Sequence, residues 1–230
     1  MMKIGCCGFP IAMEKYFRTF EVVEVQKTFY KPLAVETARK WREKAPEDFE
    51  FTVKAWQVIT HPPSSPTYRK ANLRIEDAGF FKPIKQVFEA WEVTREIARA
   101  LKAKFILFQT PRSFRESEES FRNMREFFSS VEREFVFGWE PRGWSDDAVK
   151  KVCESLNLVH VVDPFKNQPL FGELRYFRIH ENHSESEVFS LLGKADYVMF
   201  NNPFMLQDAL KLKSRRDEVE GKNPESAQRL

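Results

Sequence analysis

Glu140, Asp163 and His180 are two carboxylates and an imidazole, the side chains that most often move protons in enzymes, and each closes a short apolar run. The runs are EFVFGWE (134–140), LVHVVD (158–163) and RYFRIH (175–180). In WEPRGW (139–144), Glu140 and Arg142 flank Pro141. Glu140 is expected to act as a general acid or base or to anchor a substrate hydroxyl, with Arg142 keeping it ionised or binding an anion. A structural ion pair is the alternative. Asp163 stands just before Pro164, so a catalytic role competes there with a turn-capping one. Arg178 and His180 share a strand face, where a cation beside a titratable ring could receive an anionic group or shuttle a proton. Glu24 and Lys54 carry opposite charge on neighbouring runs and are expected to pair if buried. Gln26, Tyr30, His61, Gln109, Arg112, Asn201 and Asn202 complete the set as hydrogen-bonding groups suited to substrate recognition. His160 lies on the opposite parity from Asp163 and is expected to pack against a helix.

Such a set needs elements that bring it together. Five further runs share the strand pattern: KIGCCG (3–8), VVEVQ (22–26), FEFTVK (49–54), KFILFQ (104–109) and DYVMFN (196–201). Side chains alternate across a strand, so Gln26, Lys54, Gln109, Glu140, Asp163, His180 and Asn201 all fall on one parity at the ends of their runs. Segments of helical period fill most gaps, at 33–44, 84–102, 116–133, 146–156, 185–192 and 204–212. Between runs 1 and 2 there is room only for a turn or two, and 164–174 shows no helical pattern. Eight strands alternating with helices predict a single-domain α/β protein, a (β/α)8 TIM barrel whose site lies at the carboxyl ends of its strands. The 230 residues fall slightly short of the roughly 250 typical of that fold, so the barrel is expected to be slightly trimmed. An open doubly wound sheet is less suited, because no GxGxxG follows the first run.

The stretch 57–83 holds Pro62, Pro63, Pro66 and Pro83 and predicts a long loop on the rim that carries the polar strand ends. The barrel is expected to occupy 1–213, followed at 214–230 by a polar, disordered tail. A hydrophobic fraction of 42% with 23 phenylalanines supports one large core, and no apolar run approaches the roughly 18 residues of a membrane span. Met1 leads straight into a strand without a leader pattern, and Cys6, Cys7 and Cys153 form neither a CxxC nor a zinc spacing. A reduced, cytoplasmic protein is expected, and its 31% charged residues match thermophile-like composition. A net charge of +3 is too small to announce a nucleic-acid partner.

VEVQKTFY (23–30), FEFTVKAWQVITH (49–61), LFQTPRSF (107–114), WEPRGW (139–144), VVDPF (161–165), YFRIH (176–180) and VMFNNPFMLQDA (198–209) resemble, in order, the motifs of domain-of-unknown-function family 72. That resemblance implies a TIM barrel and, since the family has no established general activity, little about chemistry. IGCCGFP at the start is closer to the archaeal-type branch than to the SGW form, and Glu181 stands where the family often has glycine.

Glu140, Asp163 and His180 are also comparable to the metal-binding sets of sugar-isomerase-like and endonuclease-like barrels. No HxH, HExxH or DxD accompanies them, however, and Lys54, Arg142 and Arg178 would crowd a cation. No metal is therefore expected. Nor is a cofactor, since only eight glycines occur and none form a phosphate cradle. The leading expectation is a metal-independent enzyme of hydrolase, lyase or isomerase type acting on a small polar, anionic substrate. Interleaved aromatics and cations keep open a nucleic-acid-binding or nuclease-like barrel, and a noncatalytic ligand-binding barrel is the third possibility.

Overall fold

In the computed structural model, which describes residues 1–221, eight parallel strands alternate with helices. The strands are β1 (Lys3–Cys7), β2 (Val22–Val25), β3 (Glu50–Lys54), β4 (Phe105–Gln109), β5 (Val136–Glu140), β6 (Val159–His160), β7 (Tyr176–Ile179) and β8 (Tyr197–Phe200). Hydrogen bonding runs in the order β6-β5-β4-β3-β2-β1-β8-β7. A parallel bridge between Val162 and Phe177 joins the two ends, so the sheet closes into a barrel. That seam is thin. It rests on the Arg178 N–H donating to the Val162 carbonyl at 2.8 Å and the Val162 N–H donating to the Tyr176 carbonyl at 3.4 Å.

Connections follow the predicted pattern, most with shorter ends and the last with a longer one: α1 (Met13–Thr19), α2 (Lys27–Tyr30), α3 (Val35–Lys44), α4 (Gln57–Thr60), α5 (Pro66–Ala71), α6 (Lys85–Ala100), α7 (Glu118–Ser130), α8 (Asp146–Leu156), α9 (Glu185–Phe189) and α10 (Met205–Val219). Ser117, Ser145 and Ser184 cap α7, α8 and α9 by accepting backbone N–H bonds. The expected long loop instead contains α4 and α5. Ser65 caps α5, whose first residue is Pro66, a pairing that favours a helix start.

The phenylalanines divide between two cores. Outside the sheet, Trp91, Phe108, Phe127, Phe128 and Phe137 pack edge to face under α6 and α7, with Phe81 tilted against Phe127 and Phe128. Inside the barrel, Phe105 stacks on Tyr176 at 4.5 Å, and Tyr176 on Tyr197 at 5.3 Å. Gly138 makes room for this stack, because a Cβ there would lie 2.2 Å from Phe105. The amino end of the barrel is plugged by buried Glu50, which accepts from Lys104, Lys3 and the Tyr197 hydroxyl.

The tail differs from its expectation. α10 runs through 214–219 because its polar residues find distant partners that a local pattern does not show. Arg216 is buried, pairs with Glu21 and donates to the Met2 carbonyl at 2.7 Å. Residues 222–230 of the expected tail lie outside the described residues.

Candidate functional site

Strand alternation carries one connected set of polar side chains up the barrel axis. The Thr52 hydroxyl lies 2.8 Å from the Tyr176 hydroxyl, which donates to Glu24 at 3.0 Å. Glu24 also accepts side-on from Arg178, whose Nε and Nη2 reach its two oxygens at 3.0 and 2.8 Å. The other terminal nitrogen of Arg178 donates to Glu140. From Glu140 the chain forks. Gln109 Nε2 donates to Glu140 Oε1 at 2.8 Å and turns its own oxygen to Lys54 Nζ, also at 2.8 Å. On the other branch His180 Nε2 meets the same Oε1 at 2.9 Å. The Asn201 amide in turn faces His180 Nδ1 at 3.3 Å.

Burial sets the charge states in this chain. It would raise the Glu140 carboxyl, but Arg178, His180 and Lys54 together bring it well below the usual carboxylate range, so Glu140 is anionic. Burial and the charge of Arg178 push the Lys54 ammonium down to about 7, against the opposing pull of Glu24 and Glu140. Lys54 has no carboxylate within ion-pair distance among the described residues; its ammonium sits 3.9 Å above the Phe29 ring instead. Between pH 7 and the ordinary lysine value of 10.5, the unfolded chain therefore holds a proton that the folded chain has lost. Folding stability is expected to rise with pH across that window. Urea unfolding at several pH values, with Lys54→Met losing the rise, checks this; a flat profile in the parent would refute it.

Several candidates sit differently from their expected places. Lys54 does not pair with Glu24, and Arg142 approaches Glu140 only to 3.9 Å while half exposed; Arg178 pairs with both carboxylates instead. Arg178 is fully buried and its nitrogens are committed, so its guanidinium is not presented to an incoming anion. Asp163 accepts from the backbone N–H groups of Phe165 and His180, at 3.2 and 3.3 Å, in the turn-capping arrangement. It still borders the cleft described below. Gln26 leaves the strand in helical backbone as the N-cap of α2, which ends strand parity there and carries Tyr30 onto α2, where Lys70 lies over its ring. His61 is buried beside Thr60 and edge-on to Phe29; burial, Lys54 and Arg142 lower it to about 3, so it stays neutral. Asn202 ties its loop through the Glu181 carbonyl, Asp208 and the Phe204 N–H.

A cleft of about 380 Å³ opens at the lip between β5 and β6, lined by Glu140, Arg142, Asp163 and His180 among others. β6 is two residues long and its ordered pairing with β5 stops at Trp139 and His160; the residues that follow it, Val161, Val162 and Asp163, line the cleft. The sequence singled out neither this cleft nor Lys166 on its wall. β6, which carries His160, packs against α8, and His160 also borders the opening together with Val149 of that helix. Among the described residues, no three His, Cys, Asp or Glu side chains are grouped to hold a metal ion. No helix among the described residues is long and apolar enough to cross a membrane.

Closed parallel strands, interleaved helices and a polar cluster at the carboxyl ends define a TIM barrel with its candidate site where such barrels place theirs. The family model described as "Protein of unknown function DUF72" matches residues 10–217, and the chain belongs to that family. Among solved structures it is similar to a DUF72 protein from Enterococcus faecalis, with a TM-score of 0.72 at 15% identity over 94% of this chain and 96% of that one. A Thermotoga maritima member gives 0.64 at 20% identity, covering 96% and 99%. Endonuclease IV from Thermus thermophilus gives 0.50 at 10% identity, covering 95% and 99%. At these identities the likeness speaks for the fold alone. Comparison with the curated proteins returned no match.

Proposed function

We propose that the chain is an enzyme acting on a small polar, anionic substrate by general acid–base chemistry, without a metal, at the lip of the barrel. The observation that carries this reading is the fixed Glu140–His180 pair on the wall of the cleft. Glu140, held by Arg178 and Gln109, accepts from His180 Nε2 and so orients the ring. Nδ1 is then the basic nitrogen, opposed only by the long contact to Asn201. A substrate proton presented in place of the Asn201 amide would pass to Nδ1, and the imidazolium so formed would be stabilised by the anionic Glu140. Asn201, released, could donate to a developing oxyanion. Arg112, Arg142 and Lys166 line the cleft and supply positive charge for the substrate. The metal-free part of the reading is supported by the occupancy of Glu140, whose oxygens already accept from three side chains.

Sugar acids, phosphorylated sugars and oligonucleotides, screened by thermal shift at low and high salt with and without EDTA, test the reading. Stabilisation by a small anion, modestly salt-dependent and indifferent to EDTA, is the expected result. Stabilisation by oligonucleotides alone with a steep salt dependence would replace it with nucleic-acid binding, because many phosphates would then be neutralised at once. Loss of ligand binding in EDTA would remove the metal-free assignment.

A further inference from the structure

His160 is 95% buried, yet it borders the cleft on the outer side of the lip, as His180 does on the inner side. The Leu170 backbone N–H donates to its Nδ1 at 3.2 Å. That bond requires a lone pair on Nδ1 and so places the neutral ring's proton on Nε2. Nε2–H has no protein acceptor among the described residues, and it is not one of the enclosed unmatched polar atoms, so the small exposed part of this ring includes Nε2, which is open to the cleft. Burial lowers the imidazole to about 4, against the opposing charges of Asp146 and Glu140, so the ring is a neutral donor at physiological pH. A donor of locked tautomer, nine-tenths buried and bordering a cleft, is a site looking for an acceptor.

The groups around it indicate which acceptor. Arg112 and Arg142 line the same cleft, and among the described residues neither has a tight carboxylate partner. Of the carboxylates on the wall, Asp163 is occupied by two backbone N–H groups and Glu140 by Arg178, Gln109 and His180. Asp146, exposed on the first turn of α8, is the group that would oppose an anion.

We infer that His160 Nε2–H, with Arg142 and Arg112, receives the carboxylate or phosphate arm of the substrate while the reacting end lies against His180. This rests on the proposed acid–base reading and extends it. The substrate would be a molecule with an oxyanion at one end and the reacting carbon or oxygen at the other, long enough to cross the lip between the two histidines. His160 is thereby a specificity residue that selects oxyanions, and Leu170, through its backbone, is the residue that sets its tautomer.

The chain has four histidines, which makes the side-chain nitrogen spectrum of histidine-labelled protein readable. Titration with inorganic phosphate, and separately with malonate, should shift the His160 Nε2–H signal with the half-saturation seen by thermal shift. The tighter of the two probes assigns the arm as phosphate or carboxylate. His160→Phe should weaken that probe by about tenfold or more, the consequence of losing a hydrogen bond to a charged group. Asp146→Asn should tighten it. The titration on the parent protein stands even if His160→Phe melts early. A probe that shifts His180 and leaves His160 unmoved would overturn the inference while the acid–base reading survives. No response from either histidine or from the melting temperature would overturn both.

Discussion

Arg178→Leu is expected to destabilise the barrel by about 3–5 kcal/mol, the cost of leaving buried charge uncompensated when one partner of an ion pair is removed. Arg178 and Glu24 are both fully buried, and Glu140 is nearly so. With the guanidinium gone, two carboxylates face each other across the interior, with Lys54 as the remaining cation and its own ammonium already disfavoured by burial. Arg178→Lys recovers little, since a single ammonium cannot make the side-on pair to Glu24 and reach Glu140 together. Adding Glu24→Gln to Arg178→Leu should return part of the loss by removing one orphaned charge. Denaturant midpoints for the parent, both single variants and the double variant check this; a loss below about 1 kcal/mol for Arg178→Leu would show that water or rearrangement reaches the interior.

His180→Ala is expected to lower kcat by about 10²–10⁴-fold on a substrate found by the screen, the usual contribution of a positioned acid or base. Its side chain is one-fifth exposed and among the described residues makes no ion pair beyond Glu140, so the variant should melt near the parent. Glu140→Gln should lose comparable activity but also stability, because Arg178 then loses one of its two counterions. The two variants thus separate chemistry from scaffold. Steady-state rates beside melting curves decide the matter, and a His180→Ala enzyme that turns over within a few-fold of the parent would remove His180 from the reaction.

Alternation along strands was enough to place Glu24, Lys54, Gln109, Glu140, Arg178 and His180 in one interior, and helical period was enough to place the six longer or better-marked helices. What alternation cannot reveal is which inward residues meet. Glu24 on β2 and Arg178 on β7 are not on adjacent strands; they touch because a closed barrel brings strands together across its axis. Local charge pairing therefore favoured Lys54 for Glu24, and neighbouring position favoured Arg142 for Glu140. Gln26 and Tyr30 show a second limit. Parity holds only while the backbone stays extended, and at Gln26 it turns helical one residue beyond β2. The continuation of α10 past residue 213 shows a third. Its stabilising partners, Glu21 and the Met2 carbonyl, lie at the other end of the chain and leave no periodic trace near Arg216. Alternation puts His160 on the outward face, but a two-residue β6 is a property of pairing length, which composition does not encode.

The seam between β6 and β7 gives the lip a mechanical character. Two backbone hydrogen bonds and the Asp163 carboxylate, which clasps the His180 N–H from across the join, are what hold the ring shut beside the cleft. Amide exchange by local opening is governed by such sparse contacts, so this join is the stretch of barrel wall with least to lose on parting. A molecule held by His160 on one strand and His180 on the other would span it like a stitch. Its binding free energy would then be added to the tightness of the barrel itself.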